Sequence, residues 1–418
     1  MTRPSQNSLV LDGEDVKIRL LAERIETQSV VHVDWLRFTC YLRNAETPSV
    51  DLLFPSLTMN VWDDDFRKAQ INRVLASIPD GDFLPAAQAL ELAGKVATVL
   101  GDDFQVSAEI RKGHDFYKSR WSIERNGHEC GWVGFLTSGK NAKQAAQART
   151  LHVNLYGTAC TFARHGWTDR LASLIEEVKG DITRCDLALD FFDGFEGGLD
   201  QVTQDYRSGL CNVGGRKLKC NMVGDWINGR ERSFYMGSKE AGKQTNVYEK
   251  GHQLFGADSD SKWVRVELRY GNKLRVLPVD MLRRPSDFFA GASDWHALML
   301  TRADAIPSPE RIKAMSRLAL ETVQAEVNRS VRWAMDVAGP TISAAFRYFG
   351  DGFLALCEHK KPPARLARFS GAELAQAFQV AEQRVHQSSD LGSPFFLSDR
   401  DCPHFLHINP SNAGPAFS

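Results

Sequence analysis

The sequence predicts an α+β protein: a largely antiparallel central sheet with packed helices, followed by a helical C-terminal region. Three observations predict it. Strand signals come in two groups with helical segments between them, the arrangement of a sheet that packs helices on one side. Several strands alternate polar and apolar residues, which is the pattern of a sheet with one covered face. Past Pro309 the two-residue period gives way to three- and four-residue spacing.

Residues 1–29 are polar and charged and read as an arm with little structure. The first strand starts at Val30 and runs through VVHVDWLRFTCYL. Residues 61–101 read as helical, in the pieces INRVLASI and AAQALELAGKVATVL, separated by Pro-Asp-Gly at 79–81. Tyr117–Glu124 and Cys130–Leu136 form a hairpin around Asn126-Gly127, a dipeptide suited to a two-residue turn. LHVNLYG (151–157) is a strand, and Trp167–Lys179 a helix ending at Gly180. ITRCDLALDFF follows as a strand, then a short helix from Leu199 to Gly209, then strands at 233–238, 245–250 and 263–270. RIKAMSRLALETVQAEVNRSVRWAMDVA reads as one long helix ended by Gly339-Pro340, and a second runs to about Cys357. A third helix starts with Ser370 as its N-cap. The domain reading is a polar arm (1–29), an α+β domain (30–308), a helical region (309–388) and a flexible tail (389–418).

Composition narrows the function classes. The chain has 418 residues, with 51 basic and 52 acidic side chains and a formal charge of −1. A protein that coats nucleic acid non-specifically is far more basic, so any DNA contact must use a local surface. The eight cysteines are scattered without a C-x-x-C pair, which removes zinc-ribbon spacing. Cys40, Cys160 and Cys185 sit in apolar strands and read as buried thiols, the usage of a reducing compartment. No apolar N-terminal stretch resembles a signal peptide, and no window approaches the ~20 apolar residues of a membrane span. The expectation is a cytoplasmic protein with no membrane partner.

Three strands put polar groups on one face. Arg184, Asp186, Ala188 and Asp190 share a side of TRCDLALDFF, while Cys185, Leu187, Leu189 and Phe191 are core. Asn246, Tyr248 and Lys250 share a side, as do Arg265, Glu267 and Arg269. If the strands are neighbours, one surface displays Asp186 or Asp190 with Tyr248, Lys250 and Glu267. That set suits phosphoryl transfer: hard carboxylate oxygens for a divalent cation, Mg²⁺ or Mn²⁺, and a tyrosine nucleophile. The tyrosine hydroxyl has an ordinary pKa of about 10, so Lys250 is the candidate to assist its ionisation. Asp186 and Asp190 lie ~13 Å apart along a regular strand, so only one can be a metal ligand without a bulge; Asp186, deeper in the strand, is favoured. The plainer reading of the same residues is half-buried tyrosine packing and surface ion pairs of Glu267 with Arg265 or Arg269.

The run RSFYMGSKEAGKQTNVYEKGHQLFG, followed by SKWVRVELRY and LPVDMLRRPSDFFAGA, resembles the replication initiation factor family, the Rep_trans-type rolling-circle initiators of filamentous phages and plasmids. VDWLRFTC, LHVNLYGTAC and TRCDLALDFFDG are similar to preceding family segments in the expected order, so the resemblance spans roughly residues 30–350. It implies that Tyr248 attacks an origin phosphodiester, leaving a 5′-phosphotyrosine and a free 3′-hydroxyl that primes synthesis. Lys250 is then the motif partner, and Asp186, Asp190 and Glu267 the metal ligands. No His-hydrophobe-His pair stands among the eleven histidines, and His404 and His407 in the tail are incidental, so carboxylates carry the metal. His152 and Asn154 are auxiliary candidates, more readily read as structural.

DNA contact is expected from Arg216, Lys217, Lys219, Arg230, Arg232, Lys239, Lys243, His252, Arg265 and Arg269. Between Cys211 and Lys250 eight basic and four acidic residues leave a local charge of +4. Arg283-Arg284 extends that path. Implied partners are single-stranded or hairpin origin DNA, a host helicase and a DNA polymerase, with a homodimer as a further expectation. Two other readings share the same residues: a metal-dependent nuclease using water, and a non-catalytic DNA-binding regulator.

Overall fold

The computed structural model describes residues 13–46, 83–139, 144, 147–303, 309–314, 316–334, 338–350 and most positions from 352 to 381. The predicted helix over INRVLASI, its Pro-Asp-Gly break, Cys357, Cys402 and the tail from 389 lie outside these residues. The chain divides into two compact units at Arg317/Leu318.

The first unit is built on one sheet of eleven strands. In chain order they are β1 (Val31–Tyr41), β2 (Phe104–Val106), β3 (Arg111–Lys112), β4 (Tyr117–Arg125), β5 (His128–Thr137) and β6 (Thr150–Leu155). Then come β7 (Asp181–Phe191), β8 (Cys220–Asp225), β9 (Arg230–Ser238), β10 (Lys243–Glu249) and β11 (Val264–Gly271). Its helices are α1 (Gly13–Thr27), α2 (Phe83–Leu100), α3 (Gly157–Phe162), α4 (Trp167–Glu177), α5 (Gly198–Arg207), α6 (Lys250–Phe255), α7 (Pro285–Ala290) and α8 (Asp294–Arg302). The strand order is β2-β4-β5-β6-β1-β7-β11-β10-β9-β8, with β3 beside β4, and every pairing is antiparallel. The α+β class read from the sequence is borne out.

That order repeats itself. Among the described residues β1 is followed by α2, then by strands that meander back through β4 and β5 until β6 pairs with β1; α3 and α4 follow. β7 is followed by α5, then β8, β9 and β10 meander back until β11 pairs with β7; α7 and α8 follow. The halves meet at the β1–β7 seam, where Val31 pairs with Leu189 and Thr39 with Asp181. Repetition at the level of connectivity leaves no mark in the sequence, which shows no internal repeat.

One sheet face is apolar and covered by helices. Leu36, Phe38 and Cys40 of β1 and Cys185, Leu187 and Leu189 of β7 share a core with Ala93 and Val96 of α2, Leu171 of α4, and Phe289 and Trp295 of α7 and α8. Each buried aliphatic side chain contributes about 1.5–3 kcal/mol. Cys40, Cys160 and Cys185 are buried free thiols, as expected; Cys220 is exposed. At the β4–β5 turn Asn126 and Gly127 take φ of 52° and 76°, the backbone that this dipeptide favours.

The arm and the C-terminal helices depart from the sequence reading, and one strand was missed. Residues 13–27 of the arm are helical, and Val16 and Leu20 form a buried apolar cluster with Trp263, just before β11, which offsets a weak helical pattern. β8, with all six residues exposed, has no alternating signal to read. Residues 311–314 are not helical: in the second unit α9 spans Arg317–Trp333 and α10 spans Gly339–Phe349. Gly339-Pro340 opens α10 rather than closing α9, because proline is accommodated in a first helical turn. Val323 and Val327 of α9 pack with Leu366, Ala377 and Ala381. Ser370 caps the last helical stretch: its Oγ accepts from Glu373 N, and Glu373 accepts from Ser370 N at 2.8 Å.

A candidate active site on the open sheet face

The other face of β1, β7, β11 and β10 carries the polar residues. Antiparallel register aligns them in rows: Trp35–Asp186–Arg269–Gln244, then His32–Ala188–Glu267–Asn246–Tyr235, then Asp190–Arg265–Tyr248–Ser233. The predicted Asp186, Asp190, Tyr248 and Glu267 are thus brought onto one surface. Lys250 joins them from the start of α6 rather than from the strand. Its Nζ lies 5.8 Å from the centre of the Tyr248 ring.

Arg265 anchors the deepest row. It is 1% exposed, donates through Nε and a terminal nitrogen to Asp190 at 2.8 and 2.9 Å, and through its other terminal nitrogen to Asp34 Oδ1 at 2.6 Å. Trp263 Nε1 donates to the same Asp190 carboxylate at 2.6 Å. Burial alone would raise both aspartates, but the Arg265 charge outweighs it and holds them below the ordinary carboxylate range. Burial brings the His32 imidazole, 3.7 Å from Asp190, down to about 4, so it is neutral at pH 7.

Asp34 is a site residue that the sequence reading did not single out. The β1–β7 register shifts between Val33 and Trp35, so Asp34 and Trp35 both turn to the polar face. Alternation from Val31 and Val33 already sends Asp34 to the polar side with His32, and the register shift adds Trp35 to it while Leu36, Phe38 and Cys40 return to the core.

Around the hydroxyl, Tyr248 Oη is 3.5 Å from Glu267 Oε2. Tyr248 is 9% exposed, and burial raises its hydroxyl well above the ordinary 10. Burial, with Asp34 and Asp186 adding repulsion, pushes Glu267 to about 7. Burial and the Arg265 charge bring the Lys250 ammonium down to about 8. A tyrosine, a carboxyl near neutrality and a lysine near neutrality therefore share one face, a grouping able to move protons at physiological pH.

The predicted carboxylates differ as metal ligands. Asp186 is gripped by Arg184 and accepts from Arg269 Nε at 3.2 Å. Asp190 is filled by Arg265 and Trp263. Among the described residues no three His, Cys, Asp or Glu side chains converge as a ready-made metal cage. Asp34 Oδ1 is likewise taken by Arg265, and its charge adds to the burial that raises Glu267; Glu267, with Arg269 at 3.3 Å, is the least tightly held of the four carboxylates.

Of the residues expected to meet DNA, Arg216, Lys217, Lys219, Arg230 and Lys239 are exposed. Arg230 pairs with Asp258 at 2.7 Å, and Arg232 with Glu249 and Asp200. His252 accepts from Glu231 N and lies beside Glu249. Arg269 stays on the open face, paired with Asp186 and Glu267. Two lie elsewhere: Arg265 is enclosed between aspartates, and Lys243 is on the helix-covered side of β10, donating to Ala292 O at 2.6 Å. Arg283 and Arg284 are tied to Glu176 and to Asp287 and Glu310. His152 bonds Thr39, and Asn154 Oδ1 accepts from Trp35 and Arg37, both outside the Tyr248 cluster.

A cavity of about 410 Å³ opens beside this face, lined in part by Tyr235, Lys239, Asn246, Tyr248, Glu267 and Arg269. Among the described residues no helix is long and apolar enough to cross a membrane.

Comparison with known proteins places these motifs. Residues 180–353 match the Rep_trans family, described as replication initiation factor. A solved structure, the rolling circle replication initiator protein from Geobacillus stearothermophilus, is 18% identical and aligns over 65% of this chain and 84% of its own, with a TM-score of 0.38. No curated protein matches. Through residues 180–353, which hold Tyr248, Glu267, Asp186 and Asp190, the chain is similar to the replication initiation factor family, as its motifs predict.

Proposed function

We propose that this protein initiates replication by nicking one strand of origin DNA, with Tyr248 as the nucleophile. The Tyr248 oxygen attacks the scissile phosphorus, a phosphotyrosine bond forms to the 5′ side, and the bond to the 3′ oxygen breaks, that oxygen taking a proton from water to become the 3′-hydroxyl. The single observation that carries this reading is the grouping of Tyr248, Glu267 and Lys250 on one polar sheet face within the family-matching segment.

Glu267, 3.5 Å from the hydroxyl, is placed to accept its proton. Lys250, over the ring, supplies positive charge that favours the phenolate and meets a phosphate oxygen. Arg265 fixes Asp34 and Asp190 and keeps a cationic field beneath the tyrosine. A divalent cation held by Glu267, with Asp34, Asp186 and Asp190 behind it, would neutralise charge developing on the phosphate. The exposed Arg216, Lys217, Lys219, Arg230 and Lys239 would lead single-stranded or hairpin DNA toward the site. A host polymerase would extend the 3′ end while a helicase unwinds the duplex ahead of it.

The test is incubation with labelled supercoiled origin DNA and Mg²⁺ or Mn²⁺, followed by denaturing electrophoresis. Label that migrates with wild-type protein and not with Tyr248→Phe is the expected result. Nicking that persists in Tyr248→Phe without an adduct would replace the tyrosine with water as nucleophile. Binding without cleavage under either metal leaves a DNA-binding regulator.

A further inference from the structure

We infer that the cavity beside Tyr248 is a nucleobase pocket and that Asn246 reads the base next to the scissile phosphate. This rests on the nicking reading for the identity of the phosphate, and on separate observations for the pocket.

Asn246 lies two residues before Tyr248 on the same face of β10, ~6–7 Å along the strand. It stands in a row between Glu267 of β11 and Tyr235 of β9. Its Oδ1 is shut off from solvent, and among the described residues no donor reaches it. A buried acceptor without a donor is costly, and such groups in a folded protein call for a reason. With no hydrogen bond to lose, the carboxamide can turn this oxygen out of the wall and into the cavity of about 410 Å³ that Asn246 lines, which is within the size range of small-molecule pockets.

The wall chemistry selects the occupant. Tyr235, half-buried on the neighbouring strand, offers a ring for stacking. A carboxamide presents one acceptor and one two-hydrogen donor side by side, which matches the paired donor and acceptor on a base edge. Lys239, exposed at the rim, suits the sugar–phosphate chain. A flat heteroaromatic with a mixed hydrogen-bonding edge, joined to a phosphate, meets all three demands. With the phosphate at Tyr248, the base that reaches Asn246 belongs to an adjoining nucleotide. A base turned out of its stack can enter such a pocket, a duplex base cannot.

The test uses a pool of randomised single-stranded 12-mers selected on full-length Tyr248→Phe protein, which binds without attacking, and sequences the retained strands. The expected result is one position with a base preference on the order of tenfold. Asn246→Ala flattens that position and leaves the others. Asn246→Asp, which removes the donor and keeps two acceptors, shifts it toward bases that carry an exocyclic amine. An unchanged profile in both variants overturns the inference, and so does an equal loss at every position, which would make Asn246 a support of the fold. Failure here is distinct from failure of the nicking reading: a base preference without a covalent adduct keeps the pocket and removes the nicking, whereas an adduct with an unchanged profile does the reverse.

Discussion

Tyr248 Oη and Glu267 Oε2 lie 3.5 Å apart, on neighbouring strands and diagonally across the register, since Tyr248 pairs with Arg265 and Glu267 with Asn246. The separation is too long for a strong hydrogen bond, so the hydroxyl is held near the carboxylate without being locked to it. Both groups are raised by burial. Such a pair gains most when positive charge arrives between or beside it.

Metal dependence should therefore follow Glu267 and not Asp186. With Glu267→Gln, the Mg²⁺ concentration for half-maximal nicking should rise at least tenfold and the maximal rate fall by roughly 10²-fold or more. Asp186→Asn, whose carboxylate is already held by Arg184 and Arg269, should move the Mg²⁺ midpoint less than threefold. Chelation with EDTA should abolish nicking and leave oligonucleotide binding in place. Equal Mg²⁺ shifts in the two variants would return Asp186 to the ligand set.

Arg265→Met should cost about 3–5 kcal/mol of unfolding free energy, because it strands Asp190 and Asp34 without their cation. Urea denaturation followed by tryptophan fluorescence reads this directly, as Trp263 shares the cluster. A loss below 1 kcal/mol would mean that solvent already compensates these carboxylates.

Lys243 gives a pH signature. Burial lowers its ammonium from the ordinary 10.5 to about 8. Between pH 8 and 10.5 the unfolded chain binds the proton that the folded chain has lost, so folding gains stability as pH rises through that window. As pH falls through 8 the contribution disappears, and below it the folded state carries the cost of a half-buried charge. Lys243→Met should remove this slope and raise stability at pH 7 by on the order of 2 kcal/mol. Parallel pH profiles of wild type and variant in urea melts would contradict the burial of the charge.

Salt titrations separate the exposed lysines from the covered one. For a single-stranded oligonucleotide, Lys239→Ala should reduce the slope of log affinity against log salt by about 0.7. Lys243→Met, on the opposite face of the sheet, should leave that slope unchanged. Equal changes in both would place DNA on the helix side.

Much of this site was legible because a strand sorts its residues by parity. The alternation in TRCDLALDFF and WVRVELRY assigned Asp186, Asp190, Arg265 and Glu267 to the polar face, and TNVYEK did the same for Tyr248. The same parity puts Lys243 with Thr245 and Val247 on the covered face, so that misplacement was avoidable. Parity is silent on which guanidinium reaches which carboxylate. Asp186 and Asp190 differ from Glu267 through Arg184, Arg269 and Arg265, and that follows only from register. Asp34 could be read by parity with His32, but its role was hidden because its partner, Arg265, lies 231 residues along the chain. α1 escaped because its few apolar residues need Trp263 to pack on, and nothing local signals that contact.

The β1–β7 seam also fixes when the site comes into being. Synthesis runs from the N-terminus, and the strands of the first half can pair among themselves before β7 exists. Joining β1 to β7 closes a long loop, a slow step compared with zipping a hairpin. Tyr248, Glu267 and Lys250 arrive with the second half, while Asp34 waits in the first. A chain arrested before the seam closes therefore carries donors without a nucleophile or a nucleophile without its full acidic set. Under the proposed chemistry, a protein that breaks DNA gains that capacity only once its two halves have met.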